Sequence, residues 1–236
     1  MWCSDPKSGD QVGFFGIFDG HGGADAAHYV REKLFSNLLG HAHFPTALDK
    51  ALPEVFRRTD ADYLASDSSL MRDDGCCGTV AVVQGSTCHV AHVGDSRAIL
   101  VQQAANSTAA TVTALSVDHK PDLAAEKARI EKLGGVVVWA GTWRVSGVLA
   151  VSRAFGNRML KDYVKADPDV KKVVIQGGEA TLIVASDGVW DVISNEEAMR
   201  ITGQASSAKE AAVELCEEAF KQGSMDNISA VVIRFF

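Results

Sequence analysis

The chain has 236 residues, which is long enough for one large domain or two small ones. With 47% hydrophobic residues, 22% charged residues and only 5 prolines, the composition excludes a disordered, collagenous or coiled-coil protein. A net charge of −7 argues against a nucleic-acid partner. No apolar run approaches the roughly 18 residues that a membrane helix needs, so we expect no membrane partner either.

The predicted elements alternate between runs of strands and pairs of helices. In chain order, the first half is predicted to form a strand, two helices and four strands, over residues 13–18, 24–39, 46–64, 79–84, 87–93, 97–102 and 111–115. The second half is predicted to form a helix, two strands, two helices and a strand, over residues 123–133, 136–139, 181–186, 195–203, 208–222 and 228–235. Short turns between the middle strands favour antiparallel pairing. The pattern predicts an α+β layered fold, with residues 1–236 as one domain.

The five cysteines include no CxxC pair, and adjacent Cys76 and Cys77 rarely bridge each other. The first ten residues lack the apolar segment of a signal peptide. We therefore expect free thiols and an intracellular protein, in the cytoplasm or the nucleus.

Four predicted strands carry an aspartate at one end, beside a residue that permits a tight turn. The four pairs are Asp19-Gly20, Gly94-Asp95, Asp187-Gly188 and Asp226-Asn227. Any one pair is ordinary turn chemistry after a strand. Four pairs in an acidic chain indicate oxygen ligands for a hard cation such as Mg²⁺ or Mn²⁺, held at fixed separation by rigid strand ends. The absence of a clustered Cys or His set argues against structural zinc.

The most specific stretch is Asp-Gly-His-Gly-Gly, which begins at Asp19. His21 would lie beside a metal ion at Asp19, in a position to exchange a proton with a substrate oxygen. The other six histidines are interpreted as structural. His89 and His92, for example, lie three apart on a predicted strand and therefore face opposite sides.

Residues 15–23 resemble the signature of the PP2C (PPM) family of metal-dependent serine/threonine phosphatases. Seven further segments follow in the family's order, so the resemblance covers essentially residues 13–236. These segments are residues 78–81, 93–98, 115–121, 129–135, 144–156, 186–191 and 226–229.

The resemblance implies a four-layer α-β-β-α sandwich of two antiparallel sheets flanked by helices. It also implies a set of metal ligands, namely Asp19 as a bridge between two ions, the Gly20 carbonyl, Asp187, Asp226 and, for a third and weaker ion, Asp95 and Asp191. His21 corresponds to the family's proposed general acid. Cys76 and Cys77 would have no catalytic role.

The chemistry implied by the family is hydrolysis of phosphoserine and phosphothreonine in phosphorylated protein substrates. Two Mg²⁺ or Mn²⁺ ions would lower the pKa of the water between them, and that water would attack phosphorus in line. His21 would protonate the departing seryl or threonyl oxygen. We expect a monomer.

One feature departs from the family pattern. The family opens with a strand that carries an arginine for the substrate phosphate and a glutamate linked to the second metal ion. The 18 residues ahead of Asp19 contain neither residue type, and Asp5 and Asp10 are their only acids. We therefore expect the opening strand to be missing, the second ion to be held weakly, and the activity to be weakened.

Two other functions stay open at this point. A pseudophosphatase acting as a metal-binding regulatory or interaction module is favoured by the absent strand, whereas the retained metal acids weigh against it. The chemistry of the acids alone does not exclude a metallohydrolase that acts on a small phosphate ester. Only the family resemblance favours phosphoprotein substrates.

Overall fold

Two antiparallel sheets packed face to face form the centre of the protein. The structure, a computed structural model, describes residues 2–4, 9, 11–66, 72–103, 110–175 and 178–236. The strands are β1 (Trp2–Ser4), β2 (Gln11–His21), β3 (Gly75–Gln84), β4 (Thr87–Val93), β5 (Arg97–Gln103), β6 (Ala110–Ala114), β7 (Val137–Trp139), β8 (Trp143–Val145), β9 (Phe155–Gly156), β10 (Asp169–Val174), β11 (Ala180–Ala185) and β12 (Ala230–Phe235). The helices are α1 (Asp25–Leu39), α2 (Leu48–Leu64), α3 (Ala124–Lys132), α4 (Asp187–Trp190), α5 (Asn195–Gln204) and α6 (Ala208–Lys221), with a 3₁₀ turn at Arg158–Leu160.

The first sheet has the order β1-β2-β3-β4-β10, with β9 also paired to β3, and the second has the order β12-β11-β5-β6. Strands β7 and β8 form a separate hairpin. Every pair of neighbouring strands in these sheets is antiparallel, as the short turns predicted.

Among the described residues, the apolar core has three layers and a fourth cluster, which includes Ile130 of α3 and Val145 of β8. Ile17 and Val90 from the first sheet pack between the sheets against Leu100 and Leu182 from the second. Helices α1 and α2 cover the outer face of the first sheet, and α4 to α6 cover the outer face of the second. The predicted α-β-β-α sandwich is therefore confirmed.

Strand β3 shows why periodicity identified some strands and not others. It is covered on one face by helices and on the other by the second sheet, so residues from Gly75 to Val83 are all buried. A strand buried on both faces is a continuous apolar run, which is easy to recognise. Strand β10 at the sheet edge has only half-exposed or exposed residues and carries Lys171 and Lys172, so apolar patterning missed it.

The opening of the chain requires a correction, because a strand does precede β2. Cys3 pairs with Val12, and β1 covers residues 11–13 on the side opposite β3. No strand in the described parts of the chain pairs with residues 15–21 on that side. Strand β1 is short and contains neither arginine nor glutamate, and Asp5 and Asp10 lie outside the described residues.

The end of β2 also differs from the prediction, because the strand continues to His21. Asp19 pairs with Cys77 and His21 pairs with Gly75, so the Asp-Gly-His segment is part of the ladder and the turn begins at Gly22. The structure also adds β8, β9 and the short helix α4, none of which was predicted.

All five cysteines are free, as expected. Among the described residues, no helix combines the length and the apolar character needed to cross a bilayer.

Candidate active site and metal centre

Six of the seven predicted site residues line one open cavity of about 190 Å³ at the end of the two sheets. The lining consists of Asp19, Gly20, His21, Cys77, Asp95, Arg144, Leu149, Ala150, Val151, Asp187 and Asp226. The seventh predicted residue, Asp191, does not line the cavity but lies close enough to influence the pKa of Asp187.

The two sheets contribute different acids to this cavity. Asp19 lies near the end of β2 in the first sheet. Asp187 is the first residue of α4, directly after β11, and Asp226 precedes β12, so both belong to the second sheet. The site therefore depends on the packing of one sheet against the other.

A close backbone approach fixes Asp187 relative to Asp226. A Cβ atom on Gly188 would lie 2.3 Å from the Asn227 carbonyl oxygen, so only glycine allows this approach. The Ser186 hydroxyl donates to the same carbonyl at 2.9 Å. Two segments 40 residues apart in sequence are thereby held side by side.

Neighbouring carboxylates contribute to raised pKa values at Asp187 and Asp19. Burial, followed by the four surrounding aspartates, raises the pKa of Asp187 to about 7. Burial also raises the pKa of Asp19, whose carboxyl shares a hydrogen bond with Asp187. Asp187 Oδ1 is buried and has no hydrogen-bond partner among the described residues. A buried acceptor surrounded by like charge is unfavourable unless a cation or a proton satisfies it.

These residues fit a hard divalent cation. The donors facing the cavity are carboxylate oxygens and the backbone of Gly20, which suit Mg²⁺ or Mn²⁺. The unpartnered Asp187 Oδ1 supplies a free ligand atom.

Asp95 differs from the other acids because it already has a cation beside it. Lys120 Nζ forms a salt bridge with Asp95, and Cys77 Sγ donates to Asp95 Oδ1 at 3.2 Å. Burial alone would lower the pKa of Lys120, but Asp95 outweighs it and the net shift is upward. The position predicted for a third, weaker ion is therefore partly neutralised by a lysine that sequence reasoning did not single out.

His21 also has a partner that the sequence did not indicate. Its Nε2 lies 2.8 Å from Asn157 Oδ1. The turn after His21 is held by Asp74, which accepts from the Ala26 backbone N–H at 2.9 Å and from the Tyr63 hydroxyl. Asp74 and Asn157 lie outside the motif segments, although Asn157 directly follows residues 144–156, and no local pattern marks either residue.

A second cluster of possible ligands lies behind Asp95. The ligand atoms of His92, His119 and Asp169 all lie within 4.8 Å of one another, the one such set of three in the described parts of the chain. The two imidazole rings stack 4.4 Å apart at an angle of 5°. A ring nitrogen binds a metal in the plane of its ring, so two stacked rings cannot direct their lone pairs at one ion.

Hydrogen bonds, rather than a metal ion, explain why His119 and Asp169 lie together. His119 Nδ1 accepts from the Gly94 backbone N–H at 3.2 Å, which places its proton on Nε2, facing Asp169 at 3.2 Å. Burial, followed by nearby positive groups, lowers the pKa of His119 to about 4. The geometry favours a neutral support for the loop that carries Asp95.

The fold and the cavity together define an α+β sandwich protein with an acid-lined site at the junction of two sheets. The chain belongs to the protein phosphatase 2C family, whose family model matches residues 2–228. Its Arabidopsis thaliana relative "Probable protein phosphatase 2C 59" is 48% identical over 98% of this chain and 73% of its own length. The rice protein "Probable protein phosphatase 2C member 13, mitochondrial" is 48% identical over 96% of this chain and 61% of its own length.

Solved structures agree with this assignment. The serine-threonine phosphatase 2C from Toxoplasma gondii matches with a TM-score of 0.87 and 28% identity, over 98% of this chain and 87% of that one. A sex-determining protein of C. elegans, at 23% identity and a TM-score of 0.83 over 94% of this chain and 56% of its own, shares the fold. By family, the chain is a protein phosphatase, and its relatives do not favour a binding module without catalysis.

Proposed function

We propose that this chain hydrolyses phosphoserine and phosphothreonine esters in proteins, using Mg²⁺ or Mn²⁺ held by Asp19, the Gly20 carbonyl, Asp187 and Asp226. The observation that carries the proposal is the convergence of these groups on one cavity, where Asp187 Oδ1 is buried without a partner. Bound ions would supply Lewis-acid activation of water and positive charge beside the phosphoryl oxygens.

The chain's own residues perform the remaining tasks. His21 gives a proton to the departing seryl or threonyl oxygen. Arg144 lines the cavity and is held by its bonds to the carbonyls of Val148, at 2.7 Å, and Ala140, at 3.3 Å. A guanidinium there suits a phosphoryl group, so Arg144 would take the place of the arginine missing from the opening strand.

Cys77, the one cysteine among the described residues that line the cavity, is a poor nucleophile. Burial, and then Asp95, hold the pKa of the Cys77 thiol well above its usual range, so the thiol stays protonated. This supports direct attack by water and the expectation that Cys77 has no covalent role in the reaction.

The deciding experiment measures phosphate release from a phosphothreonine peptide with Mn²⁺, with Mg²⁺ and with a chelator. Wild type should turn over only with metal, and Asp187→Asn should fall to background. Asp122→Asn, at an exposed turn position, serves as the matched control and should keep the wild-type rate. Equal rates in wild type and Asp187→Asn would contradict the proposal.

The same assay separates the alternatives. Background rates for wild type, together with Mn²⁺ binding that calorimetry loses in Asp187→Asn, would indicate a metal-binding regulatory module. A higher kcat/KM on small phosphate esters than on phosphopeptides would indicate a small-molecule hydrolase.

Weak binding of the second ion is part of the proposal. It is supported by the cavity lining, which among the described residues includes four aspartates and no glutamate. Calorimetric titration with Mn²⁺ should show one tight site, with further binding at least about 10-fold weaker. Two equally tight sites would refute the weakened second position.

We further propose that residues 1–236 act as one domain and as a monomer inside the cell, in the cytoplasm or nucleus, without a nucleic-acid partner. The core shared by both sheets supports one domain, and the free cysteines support a reducing compartment. The net charge of −7 supports the absence of a nucleic-acid partner.

A further inference from the structure

The partner of His21 is a buried amide from a distant part of the chain. His21 Nε2 and Asn157 Oδ1 lie 2.8 Å apart although 136 positions separate the two residues. Asn157 is only 4% exposed. An amide oxygen only accepts hydrogen bonds, so the proton of this bond is on Nε2 of the imidazole. His21 lines the cavity, and Nδ1 is the ring nitrogen that this bond does not engage.

The backbone around Asn157 is shaped to make this contact. Asn157 has φ 50° and ψ 57°, a left-handed conformation that asparagine tolerates better than most residues. Its backbone N–H donates to the Asp74 carbonyl at 2.8 Å, and its own carbonyl accepts from the Leu160 N–H at 3.0 Å. Both backbone groups are therefore satisfied while the side chain points at His21.

Gly75 in strand β3 leaves room for the contact between His21 and Asn157 because it has no side chain. A Cβ atom on Gly75 would lie 2.1 Å from Asn157 Oδ1 and 2.5 Å from His21 Nε2. Any side chain at this position would separate the two groups. The pairing of Gly75 with Gly156 brings Asn157 to this point.

We propose that Asn157 is a positioning residue that holds His21 in the tautomer protonated on Nε2, so that Nδ1 serves the departing oxygen of the substrate. This inference rests on the proposed function, because it assigns the nitrogen through which His21 acts. In the reaction, the bond from phosphorus to the seryl or threonyl oxygen breaks as water oxygen bonds to phosphorus. His21 enters this step with a proton on each ring nitrogen. The departing oxygen takes the Nδ1 proton, which leaves the Nε2–H tautomer whose N–H donates to Asn157 Oδ1, and the proton that water releases then returns to Nδ1.

The first test does not depend on activity. In the metal-free protein at pH 9, multiple-bond ¹⁵N–¹H NMR of histidine reports which ring nitrogen carries the proton. Wild type should show the Nε2–H tautomer of His21, and Asn157→Gly should show a mixture or the Nδ1–H form. Glycine adopts the left-handed conformation freely, so this variant removes the amide without straining the backbone. An unchanged tautomer in Asn157→Gly would overturn the inference.

The second test uses the leaving group. On a phosphothreonine peptide with Mn²⁺, Asn157→Gly should lower kcat by about 10- to 100-fold, with KM changed by less than about 2-fold. On p-nitrophenyl phosphate, whose leaving group departs without a proton, the loss should be less than about 3-fold. Asn157→Asp keeps an acceptor oxygen and should restore most of the peptide activity. Equal losses on both substrates would refute a role through His21.

A double-mutant cycle tests whether Asn157 acts through His21. If Asn157 acts through His21, Asn157→Gly should have no further effect on the kcat of His21→Ala. Fully additive losses would overturn the inference. Asn37→Ala, which removes an asparagine hydrogen bond to Thr59 on the helical side of the molecule, is the matched control and should leave tautomer and kcat unchanged.

Melting temperatures identify any variant that fails to fold. If Asn157→Gly does not fold, the His21 tautomer and kcat are measured in Asn157→Ser instead. If wild type releases no phosphate, the proposed function fails and the NMR result alone decides whether Asn157 sets the tautomer.

Discussion

Among the individual residues, Asp187 lies in surroundings that disfavour its negative charge. Its carboxyl is half-buried near four other aspartates, and its buried Oδ1 has no hydrogen-bond partner among the described residues. Such an arrangement persists when the same group binds a ligand that compensates the charge. Removing the charge of Asp187 should therefore raise the stability of the metal-free protein and lower its affinity for metal.

The first prediction concerns pH and Asp187→Asn in the presence of a chelator. Because the pKa of Asp187 is raised to about 7 in the folded state, its contribution to stability is present below about pH 4 and is lost as the pH rises through 7. At pH 8, Asp187→Asn should melt about 2–4 °C above wild type, since it removes the buried charge. At pH 4 the two proteins should melt together. A variant that is less stable than wild type at pH 8 would contradict this account.

Between secondary-structure elements, a close approach of two backbone segments requires glycine at the point of contact. Gly188 lets the start of α4 lie against the Asn227 carbonyl, and the approach places Asp187 opposite Asp226. Gly203, in helix α5, has open space where a Cβ would be added. The two positions form a matched pair for the same substitution.

The second prediction is that Gly188→Ala weakens Mn²⁺ binding at least about 10-fold, because the added methyl forces the segments that carry Asp187 and Asp226 apart. Gly203→Ala should leave binding unchanged and raise the free energy of unfolding by about 0.5–1 kcal/mol. Isothermal titration and urea unfolding measure the two quantities. Wild-type affinity in Gly188→Ala would show that this backbone approach is not needed for the site.

Helix α3 is joined to β10 by a network of charges that is buried at Glu126 and exposed at Asp169. Glu126 accepts from Arg129 and Arg153, each at 2.8 Å, and Arg153 also donates to Asp169 at 2.8 Å. Burial alone would raise the pKa of Glu126, but the two guanidinium groups lower it to about 2. The network therefore stabilises the fold only while Glu126 is ionised.

The third prediction concerns Glu126→Gln. Since the folded pKa is depressed, the contribution is present above about pH 4.5 and is lost as the pH falls toward 2. Glu126→Gln should lower the free energy of unfolding by about 3 kcal/mol at pH 7, and the difference should shrink at pH 3. Glu131→Gln, on the same helix with Lys127 4.0 Å away at the surface, should change stability by less than about 0.5 kcal/mol. A difference that is constant with pH would exclude ionisation as the cause.

At the scale of the whole molecule, the candidate metal centre bridges the two sheets. Asp19 belongs to the first sheet, whereas Asp187 and Asp226 flank strands of the second. An ion bound by all three would tie the sheets together at one end. Global stability should therefore depend on metal.

The fourth prediction is that Mn²⁺ at 100 times its Kd raises the melting temperature by about 5–10 °C, which corresponds to about 2.7 kcal/mol of binding linkage. At one fixed Mn²⁺ concentration, the effect should be larger at pH 8 than at pH 6, because a proton competes for Asp187 when its pKa is about 7 and so raises the apparent Kd. Asp19→Asn and Asp226→Asn should each abolish the shift, although they lie on different sheets. A shift that survives both substitutions would place the ion elsewhere.

The order of most strands and helices, their antiparallel pairing, the family, and the acids and histidine that meet at the cavity could all be predicted from the amino-acid sequence. Periodicity, turn chemistry and ligand type are properties of neighbouring residues, so they can be read locally. Four contacts became visible only in the folded chain: Lys120 pairs with Asp95, Asn157 meets His21, Arg144 lines the cavity, and β10 completes a sheet. These depend on the register between strands and on the packing of two sheets, and contacts between residues so far apart leave no pattern in a single sequence.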